Sequence, residues 1–254
     1  MVSVIIPCYN HGKFLAETVQ SILDSTYKQV EIIIVDDGSK DNSRDVAQRL
    51  MELTPAIQYL YQENAGPSRA RNNGISNAKG TYILPLDADD LIHPNYITEA
   101  VNIFESKPAV KVVYAEAEKF GAVNKAWKLK PFSRRALALD NMIYVSALFR
   151  KADWARVGGY CEDPVCCRED WEFWIKLLKG GGDVVQLPFV GFYYRIHPDS
   201  RRKSMTKAKK NAEIAYLNSQ HADFFLQQLS GPLRVNRSWS GAYNRLLKAL
   251  GLLK

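Results

Sequence analysis

Hydrophobic and polar positions along the first third of the chain follow two alternating periods. Val2–Pro7, Val30–Val35, Ile57–Tyr61 and Tyr82–Leu86 are short, nearly unbroken apolar runs, the pattern of strands covered on both faces. Between them, apolar residues recur at helical spacing. Lys13–Asp24 carries Phe14, Leu15, Val19, Ile22 and Leu23, and Asn42–Leu53 carries Val46, Leu50 and Leu53. A third helix opens at Gly66-Pro67 and runs to about Ala78, with Gly80 closing the unit. Three strand–helix alternations predict an α/β fold with a Rossmann-like, mostly parallel central sheet flanked by helices. Such sheets bind ligands at the carboxyl ends of their strands.

Further along, the pattern predicts a helix over Pro94–Ser106, a strand at Val110–Tyr114 and another at Ile143–Phe149. A short helix near Ala152–Val157 stops at Gly158-Gly159, and Glu169–Lys179 reads as a longer one. Val184-Val185 and Phe189–Ile196 are strand-like, whereas residues 116–142 show no clear period. Beyond Pro198 the pattern turns to basic helices, about Ser204–Leu229 and Ser238–Leu250. The expected organisation is one domain over 1–200, with a division near 115, and a helical extension over 201–254.

Composition adds little to this picture, but charge does. With 46% hydrophobic and 24% charged residues the chain is an ordinary globular one. Its net +7 is uneven: residues 198–254 hold 11 Lys/Arg against 3 Asp/Glu (+8), and residues 1–197 hold 23 against 24 (−1). A basic tail suits an anionic membrane surface or an acidic partner; no nucleic-acid motif is present, so nucleic acid is not an expected partner. No apolar run reaches the roughly 18 residues of a membrane span. The first residues enter a strand without a basic, apolar leader, which predicts a cytoplasmic protein. Cys8, Cys161, Cys166 and Cys167 match no common zinc spacing and are expected as reduced thiols.

Candidate chemistry collects at strand ends. Tyr82–Asp90 runs from an apolar strand into Asp87, Asp89 and Asp90. Clustered carboxylates beside a core call for a cation, and oxygen donors suit Mg2+ or Mn2+. Alternation places Asp87 and Asp89 on one side, facing one ligand. Asp36-Asp37 ends the second strand, where a carboxylate suits a base or ribose and equally suits a plain turn. Arg69 and Arg71 follow a helix start that favours phosphate. Glu169-Asp170 opens a helix, where acids stabilise the macrodipole or serve as a general base. His197 follows the last strand as a metal ligand or a structural imidazole. Trp171 and Trp174 suit either an acceptor pocket or the core.

As an ordered set, VSVIIPCYN (2–10), IVDDGS (34–39), GPSRARNNG (66–74), GTYILPLDADD (80–90), EDWEFW (169–174) and YRIH (194–197) resemble the inverting glycosyltransferase family 2, which has the GT-A fold. The resemblance covers residues 1–200 and leaves the tail outside it. It implies that Pro7, Tyr9 and Asp37 line the nucleoside pocket, that Arg69 faces the nucleotide, and that Asp87 and Asp89 form the Asp-x-Asp motif. Asp89, with His197, would hold Mn2+ or Mg2+, and Asp170 would be the catalytic base. The implied partners are a nucleotide-sugar donor, a UDP-sugar first, and a hydroxyl of a glycan or lipid-linked glycan. A peripheral membrane contact through the tail is a further expectation. Two alternatives stand beside this reading: a sugar-nucleotide pyrophosphorylase-like enzyme, whose N-terminal glycine-rich loop is missing here, and a non-catalytic nucleotide-sugar-binding module. The absence of a Walker loop and of G-x-G-x-x-G disfavours a P-loop nucleotidase and a dinucleotide-binding dehydrogenase.

Overall fold

The computed structural model describes residues 1–197 and 206–253. The expected start of the tail helix at Ser204, and Arg201–Lys203, lie outside the described residues. In order, the elements are β1 (Val2–Cys8), α1 (Gly12–Leu23), β2 (Val30–Asp37), α2 (Ser43–Leu53), β3 (Ile57–Gln62), α3 (Pro67–Asn77), β4 (Tyr82–Pro85), β5 (Leu91–Ile92), α4 (Tyr96–Ser106), β6 (Val110–Gly121) and β7 (Lys125–Trp127). There follow α5 (Arg134–Leu139), β8 (Leu148–Arg150), α6 (Lys151–Val157), α7 (Glu169–Leu178), β9 (Asp183–Ile196), α8 (Lys207–Gln220), α9 (Ala222–Leu229) and α10 (Ser240–Ala249).

The chain divides into two compact units. The first, Met1–Leu129 with Val145–Tyr160 and Gly182–Pro198, holds, among the described residues, all the strands and five helices, α1–α4 and α6. The second, Lys130–Tyr144 with Cys161–Gly181 and Asp199–Lys254, holds α5 and α7–α10. These boundaries follow chain compactness and fall elsewhere than the compositional boundary near residue 200.

In the first unit the sheet order is β3-β2-β1-β4-β8-β6-β9-β5, with β7 paired to β6. The four leading strands are parallel. Strand β8 runs antiparallel to both β4 and β6. Strand β9 pairs parallel with β6 and antiparallel with β5. The sheet is therefore mixed beyond β4. The apolar runs form its interior: Val2, Val4, Ile5, Ile6, Ile33 and Ile34 are fully buried. Gly74 lets α3 sit directly on the sheet, since a Cβ there would meet Ile5 Cγ2 at 2.5 Å. One acid in this core has a structural task. Glu31 accepts hydrogen bonds from Ser3 Oγ and from the backbone N–H groups of Lys79 (2.5 Å) and Gly80 (3.0 Å), tying β1 and β2 to the turn before β4.

Three sequence expectations change. The strand expected at Ile143–Phe149 is confined to Leu148–Arg150, with turns before it. Asp183–Ile196 is one continuous strand, whose shifts of register against β6 keep a 14-residue strand paired. The aperiodic stretch 116–142 contains the end of β6, then β7 and α5, each too short for a period to emerge.

In the second unit Trp171 and Trp174 are fully buried and donate through Nε1 to Leu137 O (2.7 Å) and Ile143 O (3.1 Å). They are core residues there. Arg168 pairs with Glu213 at 2.6 Å and stacks over Trp171. The buried side of α10 is polar and small: Ser240, Gly241 and Asn244. Asn244 Nδ2 donates to Pro232 O (2.8 Å) and Leu229 O (3.2 Å), which satisfies the buried amide.

Candidate active site

The acidic cluster sits at the carboxyl end of β4 as a turn. Leu86 N–H donates to Ile5 O (2.9 Å), and Asp90 N–H closes onto Asp87 O (3.1 Å). Thr18 Oγ1 from α1 donates to Ala88 O at 3.0 Å and fixes its apex. Because the chain turns at once after Pro85, strand alternation does not govern the side chains, and each carboxylate meets a different partner.

Asp87 Oδ1 accepts from Arg71 Nη2 at 2.8 Å. Arg71 is 3% exposed, while the Asp87 side chain is 33% exposed. The guanidinium reaches the turn from α3 and lies 5.7 Å from the Tyr160 ring centre. Asp89 lies between two imidazoles, with His197 Nε2 2.6 Å from its Oδ2 and His11 Nδ1 3.6 Å from its Oδ1. Burial alone would raise the Asp89 carboxyl, but hydrogen bonds and charge from His11 and His197 hold it below its ordinary range. Asp90 is buried. Its Oδ1 accepts from Arg195 N–H at 2.8 Å, and its Oδ2 has no hydrogen-bond partner. Burial, reinforced by the charges of Asp89 and Asp87, holds the Asp90 carboxyl well above its usual range. Arg195 braces the turn, donating through Nε to Asp89 O (2.7 Å) and through Nη2 to Glu17 (2.5 Å), with its guanidinium over Phe14 and Phe120.

This turn meets the chemical demand for a divalent cation. It concentrates carboxylates and leaves a buried acid oxygen without a partner, and burial together with the charges of Asp89 and Asp87 raises the Asp90 carboxyl; a cation would relieve the like-charge part of that. Asp89 and His197 are the suited donors, with Asp87 beside them. The arrangement is not a preassembled cage. Among the described residues, the one trio of His, Cys, Asp or Glu ligand atoms lying mutually within 4.8 Å is Cys161, Cys166 and Glu172, in the second unit.

At the ends of β1 and β2, Pro7 stands in register with Val35, and Tyr9 follows β1 half-buried. Asn10 takes a left-handed backbone (φ 56) and accepts from Lys40 N–H at 2.7 Å, locking this loop to the next. Asp36 accepts from Ser39 N–H (2.8 Å) and Tyr59 Oη–H (2.7 Å). Asp37 Oδ1 accepts from Gln62 Nε2 (2.7 Å) and Ala65 N–H (2.8 Å), and its Oδ2 from Gly66 N–H (2.9 Å). Arg69 is exposed in the first turn of α3.

Thus Pro7, Tyr9, Asp37, Arg69, Asp87, Asp89 and His197 all belong to the first unit. Asp170 belongs to the second, at the start of α7. There its Oδ2 accepts from Asn141 Nδ2 (2.7 Å) and its Oδ1 from Trp171 N–H (2.8 Å). Sequence reasoning singled out neither His11, Arg195 nor Asn141, and of the two arginines on α3 it favoured Arg69 over Arg71. His11 and Arg195 do flank strand ends on the ligand-binding side, which was the available clue. Asn141 lies in an aperiodic stretch that offered none.

A model of the family described as Glycosyl transferase family 2 matches residues 3–159. The glycosyltransferase GlyG of Streptococcus pneumoniae is 43% identical over 114 residues, 44% of this chain and 38% of that protein. An uncharacterized glycosyltransferase of Rickettsia typhi is 32% identical over 196 residues, 70% of this chain and 59% of that protein. The chain thus spans between about two fifths and three fifths of the length of these relatives. S. aureus TarS 1–349, solved with UDP-GlcNAc, superposes with a TM-score of 0.68 at 16% identity, covering 99% of this chain and 83% of that one. The mannosyltransferase PcManGT of Pyrobaculum calidifontis, solved with GDP-Man and Mn2+, gives 0.66 at 19% identity, covering 99% and 71%. These likenesses establish the GT-A fold, and with the family match they show that the chain belongs to glycosyl transferase family 2.

Proposed function

We propose that the chain transfers one sugar, with inversion, from a nucleoside-diphosphate sugar to a hydroxyl of a glycan or lipid-linked glycan. The observation that carries this reading is the turn Asp87–Asp90, where one carboxylate is held by a buried arginine and the next by two imidazoles. A structural turn has no need of that arrangement. A site for a diphosphate and its counter-cation does. The TarS structure with UDP-GlcNAc and the PcManGT structure with GDP-Man and Mn2+ support the donor class, with a UDP-sugar the first to test.

In this reading Asp37, with Pro7 and Tyr9, shapes the nucleoside pocket, and Arg69 faces the nucleotide from α3. Asp89 and His197 hold Mn2+ or Mg2+, and Asp87, kept in place by Arg71, stands beside them. A cation bound there supplies positive charge to a departing diphosphate. Asp170 is the general base. Asn141 and the Trp171 N–H orient its carboxylate. It takes the proton of the acceptor hydroxyl as that oxygen attacks the anomeric carbon from the face opposite the diphosphate. The bond from that carbon to the diphosphate oxygen breaks in the same displacement, which inverts the carbon.

The tail supports a membrane-surface contact as a second element. Trp239, Tyr243, Leu246 and Leu250 stand exposed on and beside α10, next to Arg245 and Lys248. An apolar stripe edged with cations matches an anionic interface. No helix among the described residues is long and apolar enough to cross a membrane.

The decisive experiment is calorimetric titration of UDP and GDP with and without Mn2+, on the wild type and on Asp89→Asn. Binding strengthened by Mn2+ in the wild type and not in the variant is the expected result. Equal binding with a chelator, or in Asp89→Asn, would sink the metal assignment.

A further inference from the structure

We propose that Cys161, Cys166 and Glu172 form a binding site for a thiophilic divalent cation, zinc first, with His221 as the outer partner that orients Glu172. The site belongs wholly to the second unit and shares no residue with the acidic turn.

The geometry comes first. The two Sγ atoms and a Glu172 carboxylate oxygen all lie within 4.8 Å of one another. Zinc takes cysteine sulfur and carboxylate oxygen as ligands, with bonds of about 2.3 and 2.0–2.2 Å. Donor atoms spaced in this way need only modest side-chain rotation to close on one ion. Three protein ligands leave one tetrahedral position. Solvent can fill it, or the Tyr216 hydroxyl, which lies 2.9 Å from Cys161 Sγ.

The surroundings provide the independent evidence. Glu172 is 2% exposed and His221 3% exposed, so both polar groups are inside the protein. His221 Nε2 lies 3.0 Å from Glu172 Oε1, while His221 Nδ1 is buried with no hydrogen-bond partner. Glu172 Oε2 also has no aligned hydrogen bond, although Lys176 Nζ lies 3.2 Å away and supplies charge. Buried polar atoms left in this way call for an ion or an ordered water. A carboxylate that binds metal while accepting from an imidazole is a common outer-shell arrangement. Charge also balances: two thiolates and a carboxylate carry three negative charges, against a dication and the Lys176 ammonium.

Thiolates select zinc over Mn2+ and Mg2+, which prefer oxygen, so this site and the acidic turn would not compete for one ion. The linear spacing concealed it. Cys161 and Cys166 come from the loop before α7, Glu172 from inside the helix and His221 from the start of α9. Cys167 is exposed and takes no part. A bound ion would fasten loop 161–168 to the helix whose first turn carries Asp170.

The test uses the full chain purified under reduction without chelator. Its metal content is measured by mass spectrometry, and then again after zinc is replaced by Co2+. We expect about one zinc per chain and a sulfur-to-cobalt charge-transfer band. Both should be lost in Cys161→Ser and in Cys166→Ser and kept in Cys167→Ser. The wild-type cobalt spectrum needs no variant, so the proposal stays open to refutation if the serine variants fail to fold. Absence of zinc and of the cobalt band in the reduced wild type overturns it. So does zinc retained by both serine variants, or a Cys161–Cys166 disulfide whose reduced form binds neither metal.

Discussion

Replacing Arg71 by methionine tests how the acidic turn is held. The side chain is 3% exposed and its Nη2 lies 2.8 Å from Asp87 Oδ1. Breaking a buried ion pair from one side costs about 3–5 kcal/mol, because the partner's charge is left behind. Here that partner is one-third open to water, so Asp87 rehydrates in part and the low end, about 3 kcal/mol, applies. Loss of the guanidinium at the Tyr160 ring adds about 0.5–1 kcal/mol, whereas methionine keeps most of the volume. At roughly 2–4 °C per kcal/mol for chains of this size, the combined loss of about 3.5–4 kcal/mol should lower Tm by about 7–16 °C. Asp87→Asn keeps an acceptor oxygen but removes the charge facing a buried guanidinium, so it should also destabilise. The double variant should cost less than the sum, with a coupling of about 2 kcal/mol. Scanning calorimetry reads all four proteins, and it separates the two units if they melt apart. Additivity within about 0.5 kcal/mol would refute the pairing as the element that sets the turn.

Asp170→Asn keeps the side chain's size and one of its two acceptor oxygens, giving up one of the bonds from Asn141 and the Trp171 N–H; with no carboxylate to take the proton, turnover should fall about 10²–10⁴-fold, the usual worth of a general base. Donor affinity by titration should stay level; parallel loss of donor binding would make Asp170 a structural residue. The Asp90 carboxyl is raised on folding by burial and by Asp89 and Asp87, so the native chain binds more protons than the unfolded one. Without metal its contribution to stability is greatest at acid pH and declines as pH rises from the unfolded carboxyl value toward the folded one. Asp90→Asn should flatten that slope and raise Tm at neutral pH, and parallel Tm–pH curves for variant and wild type would reject this. The full chain should co-sediment with anionic vesicles at low salt and less at high salt, and Trp239→Ala with Leu246→Ala should weaken it. A chain that ignores vesicles, or one whose self-association alone responds to these changes, would reassign the exposed stripe to a protein contact.

Much of the first unit was legible because burial on both faces leaves an unmistakable trace. Val2–Pro7, Val30–Val35 and Tyr82–Pro85 read as strands and are strands, and the helices between them begin and end within a few residues of their apolar periods. Legibility failed where long-range pairing overrides local pattern. Strand β9 is continuous because β6 pairs along it, although Pro188 interrupts its apolar run. In the tail, the apolar stripe of α10 suited a membrane surface and a packing face equally. The buried side is instead Ser240, Gly241 and Asn244, because an asparagine that satisfies two carbonyls fits an interior corner where leucine would leave them unpaired. Arg71 was visible as half of an Arg-x-Arg pair, but only the pitch of α3 decides that it, and not Arg69, turns inward to Asp87.

The carboxylates at the strand ends differ in a way that their one-letter pattern hides. Asp36 is spent on Ser39 and Tyr59, and Asp41 on Gly12 and Ser43. Asp37 already accepts from Gln62, Ala65 and Gly66, three of the roughly four bonds that a carboxylate can take. Its first task is to draw the loop before α3 onto the end of β2, and a nucleoside could add at most one bond more. Asp87 and Asp89 take no backbone donor among the bonds described, and face a guanidinium and two imidazoles. Side-chain partners of that kind can yield to a ligand without unravelling a loop, whereas backbone donors cannot. Exchangeability, more than acidity, separates a carboxylate that shapes the pocket from one that works in it. On that ground the proposed reading gives the diphosphate and its cation to Asp87 and Asp89.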